Sequence, residues 1–134
     1  MAYSAPPILP QLQSLRRKHS FIGEAFYRRT FEIPAEMAGK PLELTLERII
    51  WQSRVQVDGQ WLEGAEESLT TAHRYQIPQG LTAGTHEMTV CIDNRKRHDI
   101  SKNELAHAYT NDTQIKWNGI LGQMTLRALA PVEI

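Results

Sequence analysis

Two stretches between Pro41 and Gly59 alternate apolar and polar residues with a period of two, and that period does not suit a helix. Leu42, Leu44 and Leu46 interleave with Glu43, Thr45 and Glu47, the signature of a strand with one buried face. Val55 and Val57 carry the alternation into Asp58-Gly59. That dipeptide favours a type I′ hairpin, because both central residues of the turn need positive φ.

The rest of the chain continues the pattern. From Tyr27 the odd positions Tyr27, Phe31 and Ile33, with Arg29 among them, can face a core while Arg28, Thr30 and Glu32 face away, until Pro34 ends the run. Glu87 to Ile92 and Gln123 to Ala128 alternate as half-buried strands do, and a short strand is expected around Tyr75 and Ile77. The polar, acidic segment from Trp61 to Thr71 reads as a loop, and Pro78, Gly80 and Gly84 punctuate the next connection. Short strands, frequent turn signals and no amphipathic helix predict an all-β, antiparallel β-sandwich. At 134 residues it is a single domain.

One connection is unusually long. Between the strand ending at Ile92 and the one beginning at Gln123 lies Asp93 to Gly122, a polar segment without sustained apolar periodicity. A connection of this length in a compact domain is usually functional or disordered. Its far end, Trp117-Asn118-Gly119-Ile120-Leu121-Gly122, reads as a packed, tightly turned return to the sheet.

Charge and motif content narrow the chemistry. Fifteen basic and fifteen acidic residues give a formal net charge of zero, so the expected partner is neutral, neither nucleic acid nor an anionic membrane. No apolar run reaches a membrane span, and the first residues lack the charged and apolar regions of a signal peptide. The single cysteine, Cys91, has no internal disulfide partner and sits in a strand pattern as a buried, inert thiol. Arg16-Arg17-Lys18-His19 closes a proline-containing arm and reads as a solvated charge run. Glu63, Glu66 and Glu67 read as an acidic surface, and no carboxylate pair stands out for glycosidic hydrolysis. The five histidines show no metal-ligand spacing, and no phosphate loop or nucleophile elbow is present. No cofactor is expected; Asp93, Asp99 and Asp112 are the one set of oxygen ligands that could gather around a hard cation such as Ca2+.

The closing segment from Trp117 to Gly122, reached through Ser101 and then Ala106-His107-Ala108-Tyr109-Thr110-Asn111-Asp112-Thr113-Gln114, resembles the end of the N-terminal sugar-binding domain of family two glycoside hydrolases, the β-galactosidase and β-glucuronidase relatives. Three further segments match in the same order: Glu24 to Pro34, Leu46 to Trp51 leading to Val57-Asp58-Gly59, and Ser68 to Tyr75. The resemblance implies a galactose-binding-like jelly roll over 21–130, with residues 1–20 as an arm or linker and 131–134 as the start of a linker to a following domain. It also implies that the catalytic glutamates belong to a separate α/β barrel downstream, so this chain is expected to carry no catalytic residue. Carbohydrate and the other domains of the parent hydrolase are the partners it implies. A purely structural interdomain module and a free-standing lectin are the alternatives.

Sugar recognition needs flat apolar faces for the ring and amides or carboxylates for its hydroxyls. Trp51, Trp61, Trp117 and Tyr109 could supply the faces. Trp51 follows Ile49-Ile50 and reads as core, Trp61 as a partly exposed hairpin residue, and Trp117 either as a pin for the loop or as a sugar contact. His73, before Arg74-Tyr75, reads as a hydrogen-bonded loop histidine. In the resembled family an aspartate six residues before the glycine of the closing Gly-Ile reaches the barrel's active site. Thr113 stands at that position here, with Asp112 beside it. The expected sugar-binding set is Asp112, Thr113, Gln114, Trp117 and Asn118, with His107 opening the loop.

Overall fold

The structure, a computed structural model, describes residues 21–95, 97 and 119–130. Its strands belong to the unit formed by Ile22–Arg97 and Trp117–Ile134. They are β1 (Glu24–Ile33), β2 (Leu42–Leu46), β3 (Gln52–Val57), β4 (Gln60–Trp61), β5 (Glu66–Glu67), β6 (His73–Ile77), β7 (Gly84–Asp93) and β8 (Met124–Ala128), with one 3-10 turn at Ala35–Met37. One antiparallel sheet has the order β1-β7-β3-β4, with β5 pairing the other end of β3, and a second has the order β6-β2-β8. The fold is therefore the expected antiparallel β-sandwich.

The core lies between the sheets. Ile33, Val55, Val57, Met88, Val90 and Ile92 face inward from the first sheet, and Leu42, Leu44, Leu46, Tyr75 and Ile77 meet them from the second. The alternation of β2 is realised as expected. Its outward Glu43 is buried as well, because it accepts hydrogen bonds from Arg127 Nη2 (2.6 Å) and Nε (3.0 Å) and from Gln76 Nε2 (2.7 Å), its register neighbours on both sides. These donors, Gln76 foremost, hold the Glu43 carboxyl below the usual carboxylate range. Asp58 and Gly59 have φ of 49° and 82°, so the hairpin between β3 and β4 turns as the sequence requires.

Several expectations change. Trp61 to Thr71 is not all loop: Trp61 belongs to β4, and Glu66–Glu67 pairs with Gln52 and Ser53. An edge strand needs only free backbone groups on its neighbour, so exposed glutamates do not prevent it. His73 lies in β6, fully buried, not in a loop. β7 is longer than expected and buried on both faces from Met88 onward, because it is flanked by β1 and β3. Cys91, on its outward face, sits in register between Phe26 and Arg54, and burial pushes its thiol up. Trp51 is buried, as expected, and Trp61 is 46% exposed, with the Arg54 guanidinium carbon 4.7 Å from its ring centroid.

Candidate functional site

The long segment after β7 leaves the sandwich through an acid clamped by arginines. Asp93 is the last residue of β7, in register with Glu24 and Gln52 on the flanking strands, and it is 3% exposed. Arg95 donates to both carboxylate oxygens, from Nε at 2.9 and 3.1 Å and from Nη2 at 2.5 Å, and the Arg95 backbone N–H adds a bond of 3.0 Å. Arg97 Nη2 donates to Asp93 Oδ2 at 2.5 Å and to Gln52 Oε1 at 2.7 Å. The Arg95 hydrogen bonds, helped by the charge of Arg97, hold the Asp93 carboxyl down at about 2 against the burial that would raise it. Asn94 then ties this root to β1: its N–H donates to Gly23 O (3.2 Å) and its side-chain oxygen accepts from Gly23 N–H (2.8 Å).

The returning root is held by close backbone approach. Gly122 N–H donates to Glu47 O at 3.2 Å, and a Cβ there would sit 3.0 Å from that oxygen and nearer still to the Glu47 side chain. Gly119 has φ of 78°, and a Cβ on it would stand 2.8 Å from the Tyr27 hydroxyl. The two glycines thus form the tight return that the sequence suggested. Glu47 N–H donates to Gln123 O at 3.0 Å, and β8 begins.

The expected sugar-binding residues His107, Asp112, Thr113, Gln114, Trp117 and Asn118 lie outside the described residues, as do Tyr109, Asp99 and the arm at 1–20. What the structure adds is the clamp: Arg95, Arg97 and Gln52 were not singled out from sequence. The signal was present in Asp93-Asn94-Arg95-Lys96-Arg97, a charge run directly after a strand. The Asp93 carboxylate serves two guanidinium groups, while Asp99 and Asp112, considered with it as cation ligands, lie outside the described residues. No group of three or more metal-ligating side chains occurs among the described residues.

Two histidine centres lie elsewhere. Ser53 Oγ lies 2.6 Å from His73 Nδ1 and 2.7 Å from the Tyr75 hydroxyl, while Tyr75 donates to Ser53 O at 2.6 Å and accepts from Glu66 N–H at 3.2 Å. Tyr75 gives its proton to Ser53 O, so the Ser53 hydroxyl donates to Tyr75 and accepts from His73 Nδ1–H, while His73 Nε2 lies 3.4 Å from Ser68 O. The imidazole is neutral, and burial pushes its pKa down. Ser53 is 1% exposed, so this serine and histidine pair is a structural network beyond the reach of a substrate. His86 is the opposite case. Its Nδ1 lies 2.5 Å from Asp58 Oδ2 and its Nε2 donates to Thr82 O at 2.8 Å, so the Asp58 carboxylate holds its pKa up. Asp58 also accepts from Glu87 N–H at 2.9 Å, which pins the hairpin turn to β7.

No protein-family model matches the sequence, and no curated protein matches it. Solved structures do. A β-glucuronidase from Ruminococcus gnavus, in complex with uronic deoxynojirimycin, is similar over 55% of this chain, at 21% identity and a TM-score of 0.50. A GH2 β-galacturonidase from Eisenbergiella tayi, bound to galacturonate, is similar over 57% at 26% identity and a TM-score of 0.48. A Faecalibacterium prausnitzii β-glucuronidase is similar over 56% at 26% identity and a TM-score of 0.49. In each case the chain covers only 13% of that protein's length. The fold seen here is thus similar to that of one part of the much longer R. gnavus protein.

Proposed function

We propose that this chain is a non-catalytic sugar-binding domain of a family two glycoside hydrolase, and that its 93–122 segment contributes one wall of the parent barrel's substrate pocket. The observation that carries this reading is a coincidence of two independent signals. Four sequence segments occur in the order found in that family, and the described strands fold like one domain of the R. gnavus β-glucuronidase. In this reading Asp93, held by Arg95 and Arg97, and the glycines at 119 and 122 fix the two ends of the segment. Asp112, Thr113, Gln114, Trp117, Asn118 and His107 are the residues proposed to meet the sugar. The same neighbour solved with D-glucuronic acid makes glucuronides the first substrates to try.

Without a barrel only part of a pocket exists, and small ligands gain affinity by burying most of their surface. Millimolar binding, roughly 4 kcal/mol on the 1 M scale, is the expected ceiling. The purified chain is expected to show no turnover of aryl β-glucuronides or β-galactosides. Titration with glucuronate, galactose and glucose should move amide NMR signals between His107 and Asn118. Turnover that disappears on changing one carboxylate would sink the non-catalytic reading. A second reading, a free-standing lectin, draws on Trp61 and Phe26, both exposed and placed by strand parity on the outer face of the first sheet. Micromolar affinity, or shifts confined to those two residues, would favour it.

A further inference from the structure

The connection between β6 and β7, residues 78–83, is held by a histidine whose two ring nitrogens both face acceptors. His86 Nδ1 lies 2.5 Å from Asp58 Oδ2, in the turn between β3 and β4, and Nε2 lies 2.8 Å from Thr82 O, in the connection. A neutral imidazole carries one N–H and can serve only one of them. The imidazolium serves both, so this geometry is that of the protonated ring. Among the described residues, the carboxylates of Asp58, from the turn, and Glu32, from β1, favour that charge, while Glu87 on the opposite face of β7 is paired with Arg28. The Phe31 ring packs against the imidazole and His86 is only 8% exposed, so a lost partner is poorly replaced by water.

Losing the proton affects the two bonds unequally. The bond to the Asp58 carboxylate has an ionised acceptor and is the stronger, so Nδ1 keeps its hydrogen and Nε2 gives its own up. Two acceptors then meet, Nε2 and Thr82 O. The Thr82 hydroxyl, 3.5 Å from Nε2, is the donor at hand: turned onto the ring nitrogen it satisfies Nε2 and leaves Thr82 O to move away. The residues just before Thr82 are tightly placed. Leu81 O accepts from Gly39 N–H at 2.8 Å, and a Cβ on Gly80 would sit 2.3 Å from Lys40 O. Asp58, Gly80 and Leu81 all line one hollow of about 540 Å3, so both ends of the histidine's span belong to its wall.

We propose that His86 is a proton-operated latch on this hollow: its imidazolium ties the Asp58 turn to the 78–83 connection, and loss of the proton releases Thr82 and loosens the wall at Gly80 and Leu81. The latch is closed while the ring is charged and opens as rising pH removes the proton. A histidine suits the task because its charge changes near neutral pH. The device goes beyond the sugar-binding reading and uses no residue of the 93–122 segment.

The test is NMR on the full chain from about pH 5.5 to 8.5, with the His86 ring signals giving the midpoint of its own titration. The Thr82 carbonyl carbon should titrate at that midpoint. The Gly39 amide, corrected for intrinsic exchange, should lose about tenfold of its protection across it, the weight of one hydrogen bond. The Glu87 amide, held by Asp58 Oδ1, should change by less than about twofold. Asp58→Asn keeps a residue suited to the turn and an acceptor for Glu87 but removes the charge, and should carry the ring and Thr82 transitions together to lower pH. Thr82→Val removes the incoming hydroxyl and should raise the His86 midpoint, because the neutral ring loses its donor. A Thr82 carbonyl or a Gly39 protection that ignores the His86 midpoint, or a parent-like midpoint in Thr82→Val, would overturn the proposal. So would a ring that does not titrate in this range.

Discussion

The two flanks of the sandwich close differently. On the β3–β6 flank the sheets are bridged by Ser53, His73 and Tyr75, three buried polar side chains that bond mostly to one another and to nearby backbone. On the β1–β8 flank Tyr27, Arg29 and Met124 remain exposed around a gap. A fully paired polar network can rigidify an edge that apolar packing alone would leave slippery. The comparison teaches that the flank carrying the buried polar network is the one whose side chains are enclosed, while its counterpart keeps core-facing side chains at the surface.

The largest way to break the contrast is at Tyr75. Tyr75→Ala removes a ring from the core together with the hydroxyl that serves Ser53 and Glu66, and should cost about 3–5 kcal/mol. Tyr75→Phe keeps the ring and strands the Ser53 carbonyl and the Glu66 N–H, for a loss of about 1–3 kcal/mol. Urea denaturation of both variants reads these values. If Tyr27→Ala on the open flank proved as damaging as Tyr75→Ala, the distinction between the flanks would fail.

A smaller effect sharpens the comparison through pH. His73 is enclosed without a charged bond and its folded pKa is depressed by burial, so below about 6.5 the unfolded chain binds the extra proton first and stability falls as pH drops. His86 lies against Phe31 of β1, ring centroids 5.8 Å apart, and its folded pKa is raised by Asp58. Its contribution is fully present below about 6.5 and is lost as pH rises through the folded value. Relative to the parent chain, His86→Gln should therefore lose most stability at pH 5.5–6 and least at pH 8. His73→Gln should show the opposite trend, with its relative deficit shrinking on acidification. Parallel pH profiles for the two variants would contradict the assigned protonation states.

What could be read in the sequence was what is local. The period of Leu42, Leu44 and Leu46 and the Asp58-Gly59 turn each depend on neighbours within a few residues, and both appear as expected. Burial of both faces of β7 depends on its place between β1 and β3, which strand alternation does not encode. The same holds for His73, whose partner Ser53 is 20 residues away in sequence. At the candidate site the glycines at 119 and 122 were legible because positive φ and close backbone approach favour one residue type. The Asp93 clamp was not, because aspartate followed by arginines also describes an ordinary polar loop, and only the register of β7 with Gln52 brings Arg97 back onto the sheet.

The smallest expected effect isolates the open flank within a single cross-strand pair. Leu46 and Met124 are register partners of β2 and β8, on the same inward face, yet Leu46 is 0% exposed and Met124 is 40% exposed. Leu46→Ala leaves a cavity that the surrounding core cannot fill, for a loss of about 2–5 kcal/mol. Met124→Ala removes a side chain that already borders solvent, so little transfer energy is lost and no closed void forms; the change should stay below about 1 kcal/mol. Paired urea midpoints at one pH measure the difference. If Met124→Ala approached the loss of Leu46→Ala, Met124 would be enclosed in solution and the contrast between the two flanks would fail.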